Sequence, residues 1–352
     1  MIKKELDNGT DVTFYEIYEK EFPQTYARSN KIFKKSLSGA YTDFIKNSRK
    51  DSICIPTGIA SFDEVLNGGL RPGLYVFGSN PGIGKTSLIL DMMTHLAELE
   101  QHSVFFNLEM SEQQVAAMLF SNLSFTLNAK KPDEVKATPI ADFSCKSKIW
   151  KTGNYKEDVK VIVDEFHKKY DQYINVLTKA YDEKLAYVET IEITVKHYKE
   201  ILNVTPVVFV DFLQMLTTEP KLKDEFDSTL NMYDKRLEVN EILEDLKVYS
   251  NKYQVPIVLI TTISRSAYTK DTSESSEVDY NISFAKESGN IEYFADFLVL
   301  LTREKAKNKL GGVEQQLLVL NILKTRYNHE CGKVRLNFVP NYAHFSEYEQ
   351  EK

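Results

Sequence analysis

Short apolar runs recur along this chain, and amphipathic helical patterns separate most of them. The run at residues 205–211 has the apolar content of a strand that is buried on both faces. We predict strands at residues 74–77, 103–107, 205–211, 255–262, 297–301, 317–323 and 334–339. Because strands and helices alternate, we expect an α/β fold with a mainly parallel, twisted sheet and helices on both faces.

The segment between the first of these strands and the following helix has the composition of a phosphate-binding loop. The sequence LYVFGSNPGIGKTS runs from apolar residues through glycines into a helical pattern at residues 88–93. Glycines let backbone N–H groups surround a polyphosphate, the helix N-terminus faces the anion, and the lysine adds a positive charge. The candidate nucleotide-binding residues are Gly78, Ser79, Asn80, Pro81, Gly82, Ile83, Gly84, Lys85, Thr86 and Ser87.

Thr86 is the candidate Mg²⁺ ligand of this phosphate loop (residues 78–87), because a hydroxyl at this position coordinates the metal of a bound nucleotide. The strict G-x-x-x-x-G-K-[ST] spacing requires glycine at position 79, where this chain has Ser79, and glycine is found one position earlier at Gly78. A glycine-rich surface turn before a helix is the alternative interpretation. The order of strand, loop and helix around Gly-Lys-Thr favours the phosphate site.

Two of the predicted strands lead into acidic residues. Glu109 follows strand 103–107, where a carboxylate can orient an attacking water; an ordinary acid ahead of a helix N-terminus is the alternative. Asp211 ends the run at 205–211 and is the candidate that binds Mg²⁺ through water. Gln214 lies three residues further on and could sense the γ-phosphate. The sequence therefore predicts a nucleotide hydrolysis site.

Composition narrows the class of protein. The chain has 352 residues, 42% of them hydrophobic, and its net charge of −7 argues against a broadly basic protein that coats nucleic acid. Its three cysteines, Cys54, Cys145 and Cys331, form no C-x-x-C pair, and its six histidines form no recognised metal-binding pattern. No signal peptide and no apolar stretch of about 18 residues is found, so we expect a cytoplasmic protein without membrane association.

A lead segment at residues 1–50 precedes the main domain, which we assign to residues 51–345. Phe33, Leu37, Tyr41 and Phe44 share one face of a predicted helix in the lead segment, with lysines and arginines around it. This helix packs on its own domain, reaches a neighbouring subunit, or presents a basic face to nucleic acid. Residues 125–200 are rich in lysine and glutamate and predict solvated helices that cover the sheet.

Several separated motifs resemble, in order, the C-terminal motor domain of the DnaB-type replicative helicases, which are hexameric RecA-like ATPases. The resemblance covers about residues 53–340. The motifs are GSNPGIGKTS, FFNLEMSEQQ, VVFVDFLQM, RLEVNEILEDLK, VPIVLITTISRS, ESGNIEYFADF, LNILKTRYN and GKVRLNF. The resemblance implies a RecA-like P-loop NTPase fold, with residues 51–345 as the ATPase motor domain.

The resemblance also implies roles for individual residues. Lys85 and Thr86 would bind the phosphates and Mg²⁺ of ATP. Glu109 resembles the catalytic base of the family, Asp211 its Walker B acid and Gln214 its sensing glutamine.

A basic pair, Lys324 and Arg326, resembles the residues that reach into the nucleotide site of a neighbouring subunit in this family. Without the motif, Arg326 would be interpreted as a surface arginine past a strand end. The resemblance implies a ring, with a hexamer expected, that hydrolyses ATP at its subunit interfaces and translocates on single-stranded DNA during replication. It also implies a primase or a helicase loader as a partner.

Three features depart from the family pattern. Thr262 occupies a position where the family usually has glutamine, and about fifty residues precede the motor where the family has a sizeable N-terminal domain. The loop expected to face DNA carries four acids against three basic residues: Asp271, Glu274, Glu277 and Asp279 against Arg265, Lys270 and Lys286. Two other functions stay open. Residues 53–73 and the phosphate loop also suggest a RadA- or KaiC-like RecA-fold ATPase that does not unwind forks, and the short lead segment and the acidic loop favour a helicase loader or regulator.

Overall fold

The computed structural model describes residues 3–5, 11–13, 54–143, 155–219, 233–262, 291–310, 313–326 and 332–348. The chain divides into two compact units, Met1–Ile53 and Cys54–Lys352. In the first unit, β1 (Lys3–Glu5) pairs antiparallel with β2 (Asp11–Thr13). The amphipathic helix predicted in the lead segment lies outside the described residues, and so does the acidic loop expected to face DNA.

The second unit is built on one large sheet. In the part of the chain that the structure describes, its strands are β3 (Gly73–Ser79), β4 (Ser103–Asn107), β5 (Ile174–Thr178), β6 (Val207–Asp211), β7 (Pro256–Thr262), β8 (Phe297–Leu310), β9 (Val313–Thr325), β10 (Lys333–Val339) and β11 (His344–Glu347). Their spatial order is β11-β10-β9-β8-β3-β7-β6-β4-β5. From β8 to β5 all neighbours are parallel, whereas β9, β10 and β11 pair antiparallel. The prediction of a mainly parallel sheet is confirmed.

Among the residues described, the α-helices are α1 (Ala60–Val65), α2 (Lys85–Glu98), α3 (Glu112–Lys130), α4 (Tyr155–Lys169), α5 (Val188–Lys196), α6 (Tyr233–Tyr253) and α7 (Ile291–Phe294). A π-helical turn, His197–Ile201, continues α5. Short 3-10 helices lie at Ile140–Phe143, Glu183–Ala186, Leu213–Met215 and Pro340–Tyr342.

Strand β3 shows how the helices cover both faces of the sheet. Every residue of β3 is buried, because the strand lies between β7 and β8 and is covered above and below. Leu74 and Val76 belong to the core that also contains the buried residues of α5 and α6. Phe77 points to the opposite face, where its ring meets Phe62 of α1 edge-on at 5.9 Å between centroids. A continuous apolar run is what such a doubly covered parallel strand requires.

Strand β5 contradicts the prediction that residues 125–200 contain only helices. Its sequence, INVLT, forms the edge of the sheet beyond β4, and only its first and last residues are buried. A half-exposed edge strand of this length shows neither a long apolar run nor a clear alternation of apolar and polar residues. The helical pattern of the lysine- and glutamate-rich segments around it therefore determined the prediction. The short strand β11 was missed as well. Strand β5 forms through parallel pairing with the distant β4, whereas β11 pairs antiparallel with β10, the strand that precedes it along the chain.

Gly69 lies just before β3, at a point where the backbone of Ile55 leaves no room for a side chain. It has φ of +137°, and a Cβ atom there would lie 2.4 Å from the Ile55 carbonyl oxygen. Ile55 and Leu70 form an isolated antiparallel bridge at this point. We expect Gly69→Ala to lower the free energy of unfolding by about 2–4 kcal/mol, because backbone and not a flexible side chain must move. Denaturant unfolding followed by circular dichroism measures the change.

Gly332 supplies the matched control, because a Cβ atom there meets nothing within 4 Å. We expect Gly332→Ala to change the unfolding free energy by no more than about 0.5 kcal/mol. Equal effects of the two substitutions would contradict the described path of the chain at Gly69.

Candidate nucleotide-binding site

The phosphate loop follows β3, which is buried at every residue, and leads directly into helix α2. Gly82 has φ of +76°, and a Cβ atom added to it would meet nothing within 4 Å, so the loop leaves open space on this side. Gly84 precedes the helix with φ of +109°, which places successive backbone N–H groups at the helix N-terminus. Open space at the end of a helix, lined by backbone N–H groups, fits a phosphate group.

Ser79 explains how the loop tolerates a departure from the strict glycine spacing. It is the last residue of β3 and is completely buried. Its hydroxyl donates a hydrogen bond to the Asn80 carbonyl oxygen at 2.7 Å. The backbone there is part of a regular strand, so no conformation restricted to glycine is needed.

Two residues that the sequence analysis did not single out support the loop. Arg303 of β8 donates from Nε to the Ile83 carbonyl oxygen at 2.9 Å and lies 5.2 Å from the centre of the Phe338 ring. That ring lies 3.1 Å from where a Gly84 Cβ would be. Burial lowers the pKa of Arg303. No local pattern reveals these contacts, since Arg303 and Phe338 lie far along the chain from the loop.

Lys85 begins helix α2 and folds back over the loop. Its ammonium group donates to the carbonyl oxygens of Ser79 at 3.0 Å and Asn80 at 3.2 Å. Burial lowers the pKa of Lys85, and the negative charges of Asp211 and Glu109 partly oppose this shift. The lysine is therefore close to both carboxylates that the sequence analysis selected.

Thr86 and Asp211 meet directly. The threonine hydroxyl donates to Asp211 Oδ2 at 2.5 Å, and only 1% of Asp211 is exposed. Burial raises the pKa of the Asp211 carboxyl to about 6, the Thr86 hydrogen bond opposes this, and the nearby charge of Glu109 adds to it. A carboxylate and a hydroxyl at this separation form a donor pair that suits Mg²⁺, which in such sites also takes phosphate and water oxygens.

Thr86 and Asp211 are the candidate metal ligands that the structure brings together. Among the described residues, no group of three or more histidine, cysteine, aspartate or glutamate side chains is placed to hold a metal ion. In nucleotide sites Mg²⁺ keeps several water ligands and binds through one or two protein groups plus phosphates.

Glu109 lies on the turn after β4 and is exposed. Strand β4 pairs with β6 in the register that sets Asn107 opposite Asp211, and Leu108 donates its backbone N–H to the Asp211 carbonyl oxygen at 2.9 Å. The negative charge of Glu109 affects the pKa values of both Asp211 and Lys85. The structure thus brings Lys85, Asp211 and Glu109 to one edge of the sheet, the one formed by the carboxyl ends of its parallel strands.

Gln214 connects the segment after β6 to the end of β7. Its Nε2 donates to the Thr261 hydroxyl at 2.9 Å and to the Thr262 carbonyl oxygen at 3.2 Å. Strand β7 is the neighbour of β3, with Thr262 in register with Ser79. Gln214 therefore hydrogen-bonds to the strand end that carries the threonine found where the family usually has glutamine.

The basic pair, Lys324 and Arg326, lies at the opposite edge of the sheet, the one formed by the amino ends of the parallel strands. Arg326 donates to the Tyr293 carbonyl oxygen at 3.0 Å, and Lys324 donates to the Glu292 carbonyl oxygen. Burial, together with the nearby positive charge of Arg326, lowers the pKa of Lys324. These groups surround the start of β8, whereas the phosphate loop follows the end of β3.

The length of β3 sets the distance between the two groups. Seven residues span about 20 Å at roughly 3.3 Å per residue. The structure therefore does not bring Lys324 or Arg326 together with the phosphate loop of the same chain.

Asp296 holds this second edge together. Its carboxylate accepts a hydrogen bond from the Leu74 backbone N–H at 2.8 Å, forms an ion pair with Lys247, and lies 3.5 Å from Arg326. Leu74 belongs to the strand that ends in the phosphate loop. One buried carboxylate thus contacts both the start of that strand and the arginine of the basic pair.

Residues 54–347 match the family model described as the DnaB-like helicase C terminal domain. The chain belongs to this family. In the part of the chain that the structure describes, no helix is long and apolar enough to cross a membrane.

Two curated members of the family show how much of a longer protein the chain covers. It is 24% identical over 273 residues to the replicative DNA helicase DnaB of Helicobacter pylori, covering 77% of this chain and 48% of that protein. It is 24% identical over 297 residues to the DnaB of Geobacillus stearothermophilus, covering 84% of this chain and 57% of that protein. The chain spans about half the length of the curated relatives it matches.

Solved structures share the fold. A DnaB-like replicative helicase, described with its interactions with primase, superposes with a TM-score of 0.65 at 17% identity, covering 95% of this chain and 74% of that chain. A solved ATPase domain superposes with a TM-score of 0.62 at 20% identity, covering 90% of this chain and 99% of that chain. The RecA-like fold expected for a DnaB-type motor is confirmed.

The raised pKa of Asp211 predicts how stability depends on pH in the absence of metal. The carboxyl has a pKa of about 6 in the folded protein, against an ordinary value of 3.8, so the folded state binds the proton more tightly than the unfolded state. This contribution to stability is fully present below pH 3.8 and is lost as pH rises through 6.

The variant Asp211→Asn keeps the size of the side chain but carries no charge at any pH. We expect the variant to gain stability relative to the natural chain, by on the order of 2 kcal/mol, between pH 4 and pH 7 in chelator-treated buffer. Denaturant titrations at several pH values measure the difference. If the difference in unfolding free energy between Asp211→Asn and the natural chain does not change with pH, the Asp211 carboxylate is not buried as described.

Proposed function

We propose that this chain is the ATP-hydrolysing motor of a ring-forming replicative DNA helicase that translocates on single-stranded DNA. The observation that carries the proposal is the position of its charged groups at two edges of one sheet. Lys85, Asp211 and Glu109 meet beside the phosphate loop, and Arg326 lies at the far edge, about 20 Å away by strand length. One complete hydrolysis site therefore needs two subunits, one that contributes the phosphate loop and one that contributes Arg326.

The side chains at the first edge suit hydrolysis of ATP with Mg²⁺. When bound, ATP supplies the γ-phosphate that is attacked, and Mg²⁺ neutralises charge on the phosphate oxygens. Lys85 offsets the negative charge of the phosphates, and Thr86 with Asp211 holds the metal. The Glu109 carboxylate orients the attacking water and accepts a proton from it.

Arg326 acts in the site of a neighbouring subunit. An arginine supplied in trans stabilises transition-state charge, an effect of roughly 10³–10⁵ in rate in related systems. A surface that joins two different edges of the same chain is a heterologous interface, and such interfaces close into rings when the rotation per subunit permits. A hexamer is the ring expected for this family.

DNA, protein partners and location complete the proposal. Single-stranded DNA is the track, a primase or a loader is the protein partner, and the cytoplasm is the compartment in which a replication motor of this kind works. An ATPase whose activity does not respond to single-stranded DNA would instead be a loader or regulator. An ATPase that responds to DNA but leaves forked duplexes intact would be the RadA- or KaiC-like alternative.

The roles proposed for Lys85 in nucleotide binding and for Glu109 in hydrolysis can be tested separately. We expect Lys85→Ala to abolish nucleotide binding, because the lysine neutralises phosphates already in the ground state. Glu109→Gln should bind ATP normally and lower kcat at least 10²-fold, because its amide cannot accept the proton. A fluorescent ATP analogue measures binding, and phosphate release measures hydrolysis. Normal hydrolysis by Glu109→Gln would show that another group is the base.

Mixing two inactive variants tests whether the site is shared. Arg326→Ala subunits keep an intact phosphate loop, and Lys85→Ala subunits keep an intact arginine. Mixed assemblies contain interfaces that pair the two intact halves, so we expect the mixture to recover a measurable fraction of the ATPase rate. Absence of recovery, in a mixture shown by native mass spectrometry to exchange subunits, would contradict an arginine supplied in trans.

Arg71 provides the matched control for this experiment. It lies near the same edge of the sheet as Arg326 and, like Arg326, donates to carbonyl oxygens of its own chain, those of Leu66 at 2.9 Å and Asn67 at 2.8 Å. We expect Arg71→Ala to keep ATPase activity without any mixing partner. An equal loss in both arginine variants would point to a general effect on folding at this edge.

A further inference from the structure

Asn107 is a completely buried polar residue beside the candidate catalytic glutamate. It ends β4, where it lies in register with Thr178 of β5 on one side and Asp211 of β6 on the other. A buried amide needs hydrogen-bond partners, and leaving them unmade costs more than the bonds contribute. The identity of its partners therefore shows what the residue does.

The amide of Asn107 binds both backbone groups of one residue. Its Nδ2 donates to the Met110 carbonyl oxygen at 2.7 Å, and its Oδ1 accepts from the Met110 N–H at 3.0 Å. Nδ2 also donates to the Thr178 hydroxyl at 3.3 Å. Because a backbone N–H only donates and a carbonyl only accepts, the two bonds to Met110 fix which end of the amide carries nitrogen.

These bonds close a short turn around Glu109. Met110 is held by the Asn107 side chain, and Leu108 is held by the hydrogen bond from its N–H to the Asp211 carbonyl oxygen at 2.9 Å. Glu109 lies between these two anchored residues. Helix α3 then starts with a capping box formed by Ser111 and Gln114, so the turn is fixed on the helical side as well.

Among the described residues, no side chain or backbone group forms a hydrogen bond or an ion pair with the Glu109 carboxylate. Its position therefore depends on the backbone turn that carries it. A displacement of about 1 Å at a reacting group can cost roughly 10²-fold in rate.

We propose that Asn107 is a positioning residue for ATP hydrolysis, which holds the turn so that the Glu109 carboxylate faces the γ-phosphate side of the site. This inference rests on the proposed function. Asn107 makes no contact with the nucleotide in this role and acts only through Glu109. Asparagine is suited to it because the side chain must both donate and accept, which neither aspartate nor an apolar residue can do.

A role in folding alone makes a different prediction. If Asn107 served only to join β4 to β5, its loss would lower stability and would weaken nucleotide binding and hydrolysis together. If it positions Glu109, its loss should lower kcat while the affinity for ATP stays the same, because the phosphate loop and Asp211 are untouched.

The experiment measures kcat and ATP affinity for Asn107→Ala, alone and combined with Glu109→Gln. We expect Asn107→Ala to lower kcat at least tenfold with ATP affinity within about threefold of the natural chain. In the Glu109→Gln background the same substitution should cause no further loss, because the group that it positions is already inactive. Assays are run well below the unfolding midpoint of each variant.

Two other variants keep the test decisive. Asn107→Asp keeps the size of the side chain and the acceptor for the Met110 N–H but sets an oxygen against the Met110 carbonyl. We expect it to lower kcat as much as Asn107→Ala does, so it can replace Asn107→Ala if that variant does not fold. Asn321 is the matched control: it is buried on β9, donates to the Leu300 carbonyl and the Thr302 hydroxyl, each at 3.0 Å, and is five strands away from Asn107. We expect Asn321→Ala to lower stability but to leave kcat unchanged.

The outcomes separate this inference from the function on which it rests. Natural kcat in both Asn107 variants, with Glu109→Gln inactive, overturns the positioning role and leaves the catalytic base in place. An equal further loss from Asn107→Ala in the Glu109→Gln background also overturns it, since the residue would then act independently of Glu109. Natural hydrolysis by Glu109→Gln overturns both the base and its positioning residue.

Discussion

Parallel pairing of the central strands is the constraint on which the site depends. Strands β3, β7, β6 and β4 run in the same direction as adjacent neighbours, so their carboxyl ends share one edge of the sheet. Ser79, Asp211 and Asn107 are the last residues of three of these strands, and each is completely or almost completely buried. Burial by helices on both faces fixes the strands, and the positions of these three residues follow from the strand ends.

The residues that the structure brings together beside the phosphate loop are those that local sequence patterns mark. The phosphate loop shows its strand, glycines and helix within fourteen residues, and Asp211 stands out because an apolar run ends there. Parallel pairing then brings these segments together without further information. The long predicted strands were found for the same reason, since a doubly covered strand must be apolar throughout.

What sequence could not predict depends on contacts between distant segments. Arg303 and Phe338 support the phosphate loop from β8 and β10, and nothing in their own neighbourhood marks them. The edge strand β5 has too little burial to produce a pattern, although its Thr178 accepts a hydrogen bond from Asn107 beside the site. The bonds from Asn107 to Met110 depend on a turn geometry that residue type alone does not specify.

The separation of the phosphate loop from Arg326 has a consequence for stoichiometry. Under the proposed sharing of sites, each subunit gives its loop to one neighbour and its arginine to the other. An open row of such subunits has one complete site fewer than it has subunits, because one terminal loop lacks an arginine and one terminal arginine lacks a loop. Closing the row completes the last site without adding a subunit, so ring closure itself raises the number of working sites by one.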